Sequence, residues 1–171
     1  KAKNTLTNIL DTKEFSLSVV TYDMVEQMNI CAADFAPDVN EFEKAGFNQL
    51  PSKIIQVPGV KESPIIMECE LIEHIQLSKK PAGGNLLLGK VVQFHAKKEV
   101  FDKNGKINPI KVDQVARLGH NWYTRANAGL FELSAPKHLP IGIDVLPDIV
   151  KNSPHFTNKH LARLASVKKI P

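Results

Sequence analysis

The sequence predicts an antiparallel β core with peripheral helices. Two long stretches, 65–77 and 86–100, contain almost no turn formers, and both exceed the usual strand length of about five or six residues. The glycine-rich segment 81–85 joins them, and the Asn104-Gly105 pair that follows is typical of hairpin turns. Because strands of this length commonly belong to a curled sheet or a barrel, we expect the middle of the chain to form one.

Shorter elements precede and follow these strands. Before them, the spacing of apolar residues predicts an opening helix capped by Asn4 or Thr5 and ending at 11–12, a strand over 14–21, a helix over 22–33 and an acidic helix over 39–45. After them it predicts one or two helical turns over 111–117, a polar and aromatic loop over 118–125 and a short strand over 131–133. Five prolines from Pro136 onward, with fragmentary helical stretches, predict a tail wrapped over the surface.

Composition excludes several classes of protein. Of the 171 residues, 43% are hydrophobic and 23% charged, which excludes a disordered, collagenous or coiled-coil chain. The longest apolar runs fall far short of the ~18 residues of a membrane helix, so no membrane partner is expected. The net charge is +4, but the basic residues are scattered, which argues against nucleic-acid binding. Cys31 and Cys69 form no CxxC pair and favour reduced thiols in the cytoplasm.

Two familiar ligand motifs are excluded by their context. The run 84–90 fits the first seven positions of a phosphate-binding P-loop, but Val91 stands where a hydroxyl should reach magnesium. This run also lies in a predicted strand rather than between a strand and a helix, so we interpret it as a hairpin turn entering that strand. The six histidines form no pair with metal-ligand spacing, and no metal site is predicted.

Two segments carry side chains that suit an anionic, planar ligand. The first, 1–5, opens a helix, and a helix N-terminus offers unpaired amides and positive potential that favour a phosphate. Ordinary capping by Asn4 or Thr5 explains the same residues. The second, Arg117–Arg125, combines two arginines with a histidine, a tryptophan and a tyrosine that could stack on a ring system. An aromatic loop at an oligomer interface is the alternative for this segment.

Several stretches together resemble the flavin reductase-like family, whose domain is an FMN-binding split barrel. The run 3–9, Lys-Asn-Thr-Leu-Thr-Asn-Ile, is similar to the Lys-Asp-Thr-Leu-x-Asn-Ile helix start of that family, with Asn4 in place of Asp. Segments 40–46, 62–64, 116–127 and 141–147 fit later parts of the pattern in the same order. The resemblance implies an antiparallel Greek-key split β-barrel over 1–135, mainly β with peripheral helices, followed by the tail 136–171.

The resemblance also implies a ligand, an activity and a partner. It implies a homodimer that binds FMN, which NADH or NADPH reduces. The residues that it places at the FMN phosphate are Lys3, Asn4, Thr5 and Asn8, and those near the flavin or across the dimer interface are Arg117, Gly119 and Tyr123. Hydride transfer to a flavin needs no side-chain nucleophile. His120 replaces a glycine common in the family and is the one catalytic candidate, because it could touch the nicotinamide.

One departure from the family bears on the fold and on the function. Family members usually carry the first barrel strands ahead of the segment that matches 3–9, and these strands are absent from this sequence. A barrel that lacks strands exposes edges and apolar faces, so we expect this sequence to be part of a longer chain. The leading hypothesis is an NAD(P)H:FMN oxidoreductase. The alternatives are an FMN-carrying electron-transfer protein without NAD(P)H activity and a flavin-free dimeric binding module.

Overall fold

A computed structural model describes residues 3–80, 83–133, 135 and 141–166. The chain divides into two compact units, Lys1–Leu130 and Phe131–Pro171. The helices are α1 (Asn4–Thr12), α2 (Val25–Cys31), α3 (Glu41–Ala45), α4 (Pro109–Val112), α5 (Asp148–Lys151) and α6 (Asn158–Ala165). The strands are β1 (Glu14–Ser18), β2 (Gln49–Leu50), β3 (Gly59–Val60), β4 (Ile65–Gln76), β5 (Asn85–Ala96), β6 (Val115–Gly119) and β7 (Trp122–Arg125).

The two long strands form the centre of an antiparallel sheet, as the sequence predicts. The sheet has the order β1-β4-β5, and β1 pairs only with the first half of β4, Ile66–Glu70. The register of β4 and β5 shifts between Glu68 and Cys69 and again between Leu71 and Glu73. Strands β2 with β3 and β6 with β7 form two further two-stranded sheets. Within the described residues the barrel does not close, because β5 has a strand neighbour on one side only.

The polar face of β1 is covered, and its apolar face is only partly covered. Glu14 Oε2 accepts a hydrogen bond from Gln56 N at 2.8 Å, and Ser16 Oγ donates to Pro58 O at 2.8 Å. Ser18 Oγ accepts from Val60 N at 3.2 Å, so the segment that leads into β3 lies along this face. The alternate residue Leu17 is 48% exposed on the opposite face. Phe15, on the same face as Leu17, is half-buried, and its strand partner Cys69 is buried, so this face is open at Leu17 and covered near Phe15.

The chain beyond β1 links the sheet to the β6–β7 hairpin. Val19 N donates to Ile65 O at 2.9 Å, whereas Val20 O accepts from Val115 N at 3.1 Å. Near the hairpin base, Arg125 Nε and Nη2 donate to the two carboxylate oxygens of Asp113 at 2.8 and 2.6 Å. The Arg125 guanidinium thereby holds the pKa of Asp113 below its usual range. A change of strand partner after Ser18 is the reason that β1 ends there rather than at residue 21.

Three elements that the sequence predicts after β5 are wrong. The predicted helical turns over 111–117 are instead α4, capped by the Asn108 side chain, followed by β6. The predicted loop 118–125 is the β6–β7 hairpin, because Gly119 and His120 adopt the positive φ values of 103° and 46° that a tight reversal needs. No strand forms over 131–133, where Phe131 and Leu133 are 80% and 85% exposed.

Strand β5 is shorter than predicted, since 98–100 form a turn of 3₁₀ helix. In the second unit, Leu146, Leu161 and Ala165 form a small buried cluster, and α6 begins with a reciprocal cap between Thr157 and His160. Residues 136–140 of the predicted tail lie outside the described residues, and its wrapping over the surface stays a prediction. Among the helices that the structure describes, none combines the length and apolar character needed to cross a membrane.

Candidate functional site

The N-terminus of α1 is open rather than capped. Lys3 occupies the N-cap position, and no side chain among the described residues accepts a hydrogen bond from the first turn. The predicted capping by Asn4 or Thr5 is wrong: both lie inside the helix, and Asn4 Nδ2 donates instead to Phe35 O at 3.3 Å. The first turn contains no acidic residue. Amides and positive potential at this end are therefore available to an anion.

A small cavity of about 350 Å³ lies beside this helix end. Its walls are Lys3, Asn4 and Thr5 on one side, and the segment 31–35 with Glu41 on the other. Lys3 Nζ lies 3.8 Å from Asp34 Oδ1, and both side chains are about 70% exposed. Because such exposed pairs are weak, Lys3 can exchange this partner for a stronger anion in the cavity.

A larger cavity of about 920 Å³ lies at the β1 edge of the sheet, with residues from both faces of β1 in its lining. Thr5 and Asn8 of α1 line one side of it, and its apolar walls include Phe15, Leu17, Val57, Pro58, Leu87 and Val91. A Cβ atom at Gly89 would collide with the Phe15 ring, so this glycine lets the ring lie against the sheet. The P-loop-like run that contains Gly89 is part of β5, and its glycine serves packing rather than phosphate binding.

Two residues, Thr5 and Glu41, line both cavities. The cavities therefore adjoin and make one groove, which is polar beside the helix end and apolar along the sheet. Glu41 is half-buried at the first position of α3. This arrangement suits an elongated ligand with an anionic end, a polar middle and a flat apolar body.

The predicted residues of the second segment lie together on the β6–β7 hairpin. Arg117 Nε and Nη2 donate to His120 O at 3.1 and 2.7 Å, and the Arg117 guanidinium carbon lies 5.8 Å from the centre of the Tyr123 ring. Gly119 ends β6, and His120 with Asn121 forms the turn; all three are exposed. Neither of the two adjoining cavities is lined by a hairpin residue. The structure thus brings Lys3, Asn4, Thr5 and Asn8 together, and separately brings together Arg117, Gly119, His120 and Tyr123.

A buried carboxylate that sequence reasoning missed supports one wall of the larger cavity. Glu68 is fully buried, and its two oxygens accept hydrogen bonds from three consecutive amides, Lys53 N and Ile54 N at 2.8 Å and Ile55 N at 3.2 Å. His95 Nε2 lies 2.5 Å from Glu68 Oε1. The segment held in this way leads directly to Val57 and Pro58, which line the cavity.

The pKa of Glu68 reflects two opposing influences. Burial alone would raise the pKa of this carboxyl, but the hydrogen bonds from Lys53, His95, Ile54 and Ile55 lower it to about 2. Glu68 is therefore ionised at neutral pH. Two glutamates, Glu68 and Glu70, within the mainly apolar stretch 65–71, beside a second long strand that contains a histidine, were the available sequence signal.

The two histidines of the long strands contact other side chains, and the surroundings of the two cysteines make their thiols unreactive. His74 Nε2 lies 2.8 Å from Asn85 Oδ1, so both strand histidines have protein partners, as expected. Burial raises the pKa of the Cys69 thiol, while burial and then the nearby Glu41 carboxylate raise that of Cys31. Neither thiol is suited to act as a nucleophile. Across the part of the chain that the structure describes, no group of three or more His, Cys, Asp or Glu residues could hold a metal ion.

Comparison with known proteins finds one domain family and several related chains. The model of the flavin reductase like domain matches residues 1–111. An uncharacterised protein of Aquifex aeolicus is 33% identical over 124 residues, which are 72% of this chain and 61% of that protein. Nitrilotriacetate monooxygenase component B from Bacillus cereus has a similar structure, with a TM-score of 0.71 and 34% identity over 78% of this chain and 66% of its own.

The 2-nitrobenzoate 2-nitroreductase of Pseudomonas fluorescens has a TM-score of 0.70 and 30% identity, over 80% of this chain and 66% of its own. This chain spans about three fifths of the length of the first curated relatives that it matches. The similarity to both solved structures extends over most of this chain.

Proposed function

Because this chain belongs to the flavin reductase-like domain family, we propose that it binds FMN in its two adjoining cavities and transfers hydride to it from NADH or NADPH. The family membership confirms the resemblance read from the sequence. The observation that supports the binding mode is that Thr5 and Glu41 line both the polar cavity and the apolar one. FMN has the matching order of parts, which are a phosphate, a hydroxylated ribityl chain and a flat ring system.

Lys3, Asn4 and Thr5 would hold the phosphate at the open end of α1. The first-turn amides, the Lys3 ammonium and the Thr5 hydroxyl are all donors, and the smaller cavity lies beside them. Phosphate binding at a helix N-terminus uses the unpaired amides and the helix dipole together. Asn8, one turn further along α1, lines the larger cavity and would meet the ligand beyond the phosphate.

The larger cavity would hold the ring system. Phe15, Leu17 and Val91 give it an apolar floor on the sheet, where burial of a flat ring is favourable. When bound, the flavin supplies the hydride-accepting chemistry, and the residues of the chain bind it, orient it and exclude water. The wall at 57–58, held in place through Glu68, fixes the width of this space.

The hairpin residues fit the proposed homodimer. Arg117, Gly119, His120 and Tyr123 lie on an exposed hairpin, with Leu118 and Trp122 69% and 74% exposed beside them. Aromatic and arginine side chains are enriched in protein interfaces. In a two-fold dimer such a hairpin meets the partner copy, where Arg117, Tyr123 and His120 would lie near the partner's flavin.

Closure of the barrel is proposed from the sheet edge and the sheet face that this structure leaves open. The apolar face of β1 is open at Leu17, and β5 has a free edge, so we propose that further antiparallel strands pair with that edge to complete a split barrel. Such strands would narrow the larger cavity from the β5 side and leave the α1 side to the ligand. The cytoplasmic location stays a prediction.

Flavin binding and turnover test the proposed function directly. We expect the purified protein to show a flavin absorbance spectrum, as isolated or after addition of FMN, and to oxidise NADH or NADPH when FMN is in excess. A protein that stays colourless after FMN addition and gel filtration, and that does not quench FMN fluorescence, would overturn the proposal. Tight FMN binding without nucleotide oxidation would favour the electron-transfer alternative.

Replacement of Asp34 by asparagine is expected to strengthen FMN binding. The substitution releases Lys3 from its exposed partner at 3.8 Å, and we expect a two- to fivefold lower Kd, about the value of an exposed ion pair. The effect should shrink at high salt, because exposed charges are screened. Riboflavin, which lacks the phosphate, is the control ligand: an equal gain for riboflavin would show that Lys3 does not contact a phosphate.

A further inference from the structure

We propose that Glu41 is a specificity-determining residue, whose carboxylate accepts hydrogen bonds from the hydroxylated chain of a flavin and so selects ligands that carry this chain. The inference rests on the proposed flavin binding and goes beyond it, since Glu41 lies in the family-like segment 40–46 but was not among the predicted site residues. Glu41 lines the small cavity, the large cavity and a third cavity next to Cys31.

The backbone of Glu41 is held from two sides. The Asn40 side chain caps α3 by accepting a hydrogen bond from Phe42 N at 3.1 Å. The Glu41 carbonyl oxygen lies 3.9 Å from Cys31 Sγ, which donates to it from α2. Cys31 Sγ also lies 3.7 Å from Gln27 O, so Glu41 stands where α2 and α3 approach each other.

The Glu41 carboxylate differs from three other glutamates near the sheet, which are paired. Glu14, Glu62 and Glu68 each accept hydrogen bonds from backbone amides. Among the described residues, the Glu41 carboxylate has no hydrogen bond or ion pair, although the residue is half-buried. Since no buried side-chain oxygen or nitrogen of the described residues lacks a hydrogen-bond partner, the unpaired oxygens of Glu41 are accessible to solvent. They can accept hydrogen bonds from a ligand that enters the groove.

The chemistry of the two cavities identifies those donors. At the junction, Thr5 and Glu41 line both cavities. A phosphate is repelled by the carboxylate and is attracted to the end of α1, so it belongs in the small cavity. Neutral hydroxyl groups can donate to the carboxylate, and charge-assisted bonds of this kind are the stronger ones. The ribityl chain of a flavin offers such hydroxyls between phosphate and ring.

Comparison of three flavins tests whether Glu41 binds the ribityl chain or only supports the shape of the cavity. Binding of riboflavin, FMN and lumiflavin, which has a methyl group in place of the ribityl chain, is measured by fluorescence titration at fixed ionic strength. For Glu41→Ala we expect the riboflavin Kd to rise about tenfold. The FMN Kd should rise less, because the repulsion of the phosphate is lost as well. The lumiflavin Kd should not change, or lumiflavin should fail to bind both proteins.

Two further variants control for folding and for charge. Glu43→Ala removes an exposed carboxylate from the same helix, together with the hydrogen bond that Glu43 Oε1 accepts from Asn40 Nδ2 at 3.0 Å. Asn40 Oδ1 still accepts from Phe42 N, so the flavin affinities of this variant should equal those of the unaltered protein. Glu41→Gln keeps the shape and one acceptor oxygen, so its riboflavin Kd should lie between those of the unaltered protein and Glu41→Ala.

Two results would overturn the role of Glu41 while leaving flavin binding intact. One is a riboflavin Kd of Glu41→Ala within a factor of two of the control, and the other is an equal loss for lumiflavin. Failure of the unaltered protein to bind any of the three flavins would instead overturn the proposed function.

Discussion

Replacement of Glu68 by alanine is expected to lower the free energy of unfolding by about 3–5 kcal/mol, because it removes a buried carboxylate and leaves several hydrogen-bond donors without an acceptor. The carboxylate is fully buried and accepts hydrogen bonds from the three amides of 53–55, as well as contacting His95. Alanine would leave these donors buried without an acceptor, and each unmade bond is unfavourable. The segment 53–58 would then lose its attachment to β4.

The same carboxylate makes stability depend on pH in a defined direction. The pKa of Glu68 is lowered from 4.5 to about 2 in the folded protein. A carboxyl whose pKa is lower in the folded protein stabilises the fold at pH values above its pKa in the unfolded chain. That contribution is lost as the pH falls from 4.5 towards 2. In Glu68→Gln this acid-sensitive part should be absent, so its stability should vary less over this range.

Urea unfolding of matched variants measures both effects. Glu70→Ala is the control, since Glu70 lies on the same strand but is exposed, and its effect should stay within about 0.5 kcal/mol. A loss of less than about 1 kcal/mol for Glu68→Ala, typical of an ordinary hydrogen bond, would contradict the assigned role.

Replacement of Thr5 by glutamate is expected to weaken FMN binding about a hundredfold, through loss of a donor to the phosphate and addition of a like charge. Thr5 lies in the first turn of α1 and lines both cavities. The variant should fold as well as the unaltered protein, because an acidic residue in the first turn favours the helix. Reduced binding would therefore report on the ligand and not on the fold.

Thr7→Glu provides the matched control for this substitution. Thr7 is exposed on the same helix, and it lines neither cavity. FMN titrations of the two variants, with melting temperatures measured in parallel, should show the loss only for Thr5→Glu. Equal affinities for the two variants would show that the phosphate does not bind at the start of α1.

Local patterns predicted the helices and long strands, but not the β6–β7 hairpin. The opening helix and the strands β4 and β5 follow from residue spacing and from a glycine-rich turn, both of which are local. The hairpin turns at His120, whose φ of 46° is uncommon for a residue with a side chain. No local sequence pattern marked His120 as a turn residue with positive φ, so the segment was predicted to be a loop.

Sequence patterns could indicate candidate site residues only where these residues lie together on one helix or one hairpin. The start of a helix, visible in the sequence, indicated Lys3, Asn4 and Thr5, and the family resemblance added Asn8, one turn further along α1. Glu41 and Glu68 depend on contacts between elements far apart in the chain, such as the amides of 53–55 reaching β4. Residue spacing carries no information about such contacts, because they arise only when the sheet and the loops pack together.

The unequal lengths of the paired strands mean that the sheet should not open as one unit. Beyond Glu70, β4 has only β5 beside it, and Ile72 at the second register shift is 67% exposed. Local opening is easiest where few apolar contacts hold the backbone. Amide hydrogens of β4 beyond Glu70 should therefore exchange with solvent well before those of 66–70. The part of the sheet around Glu68 should be the last to open.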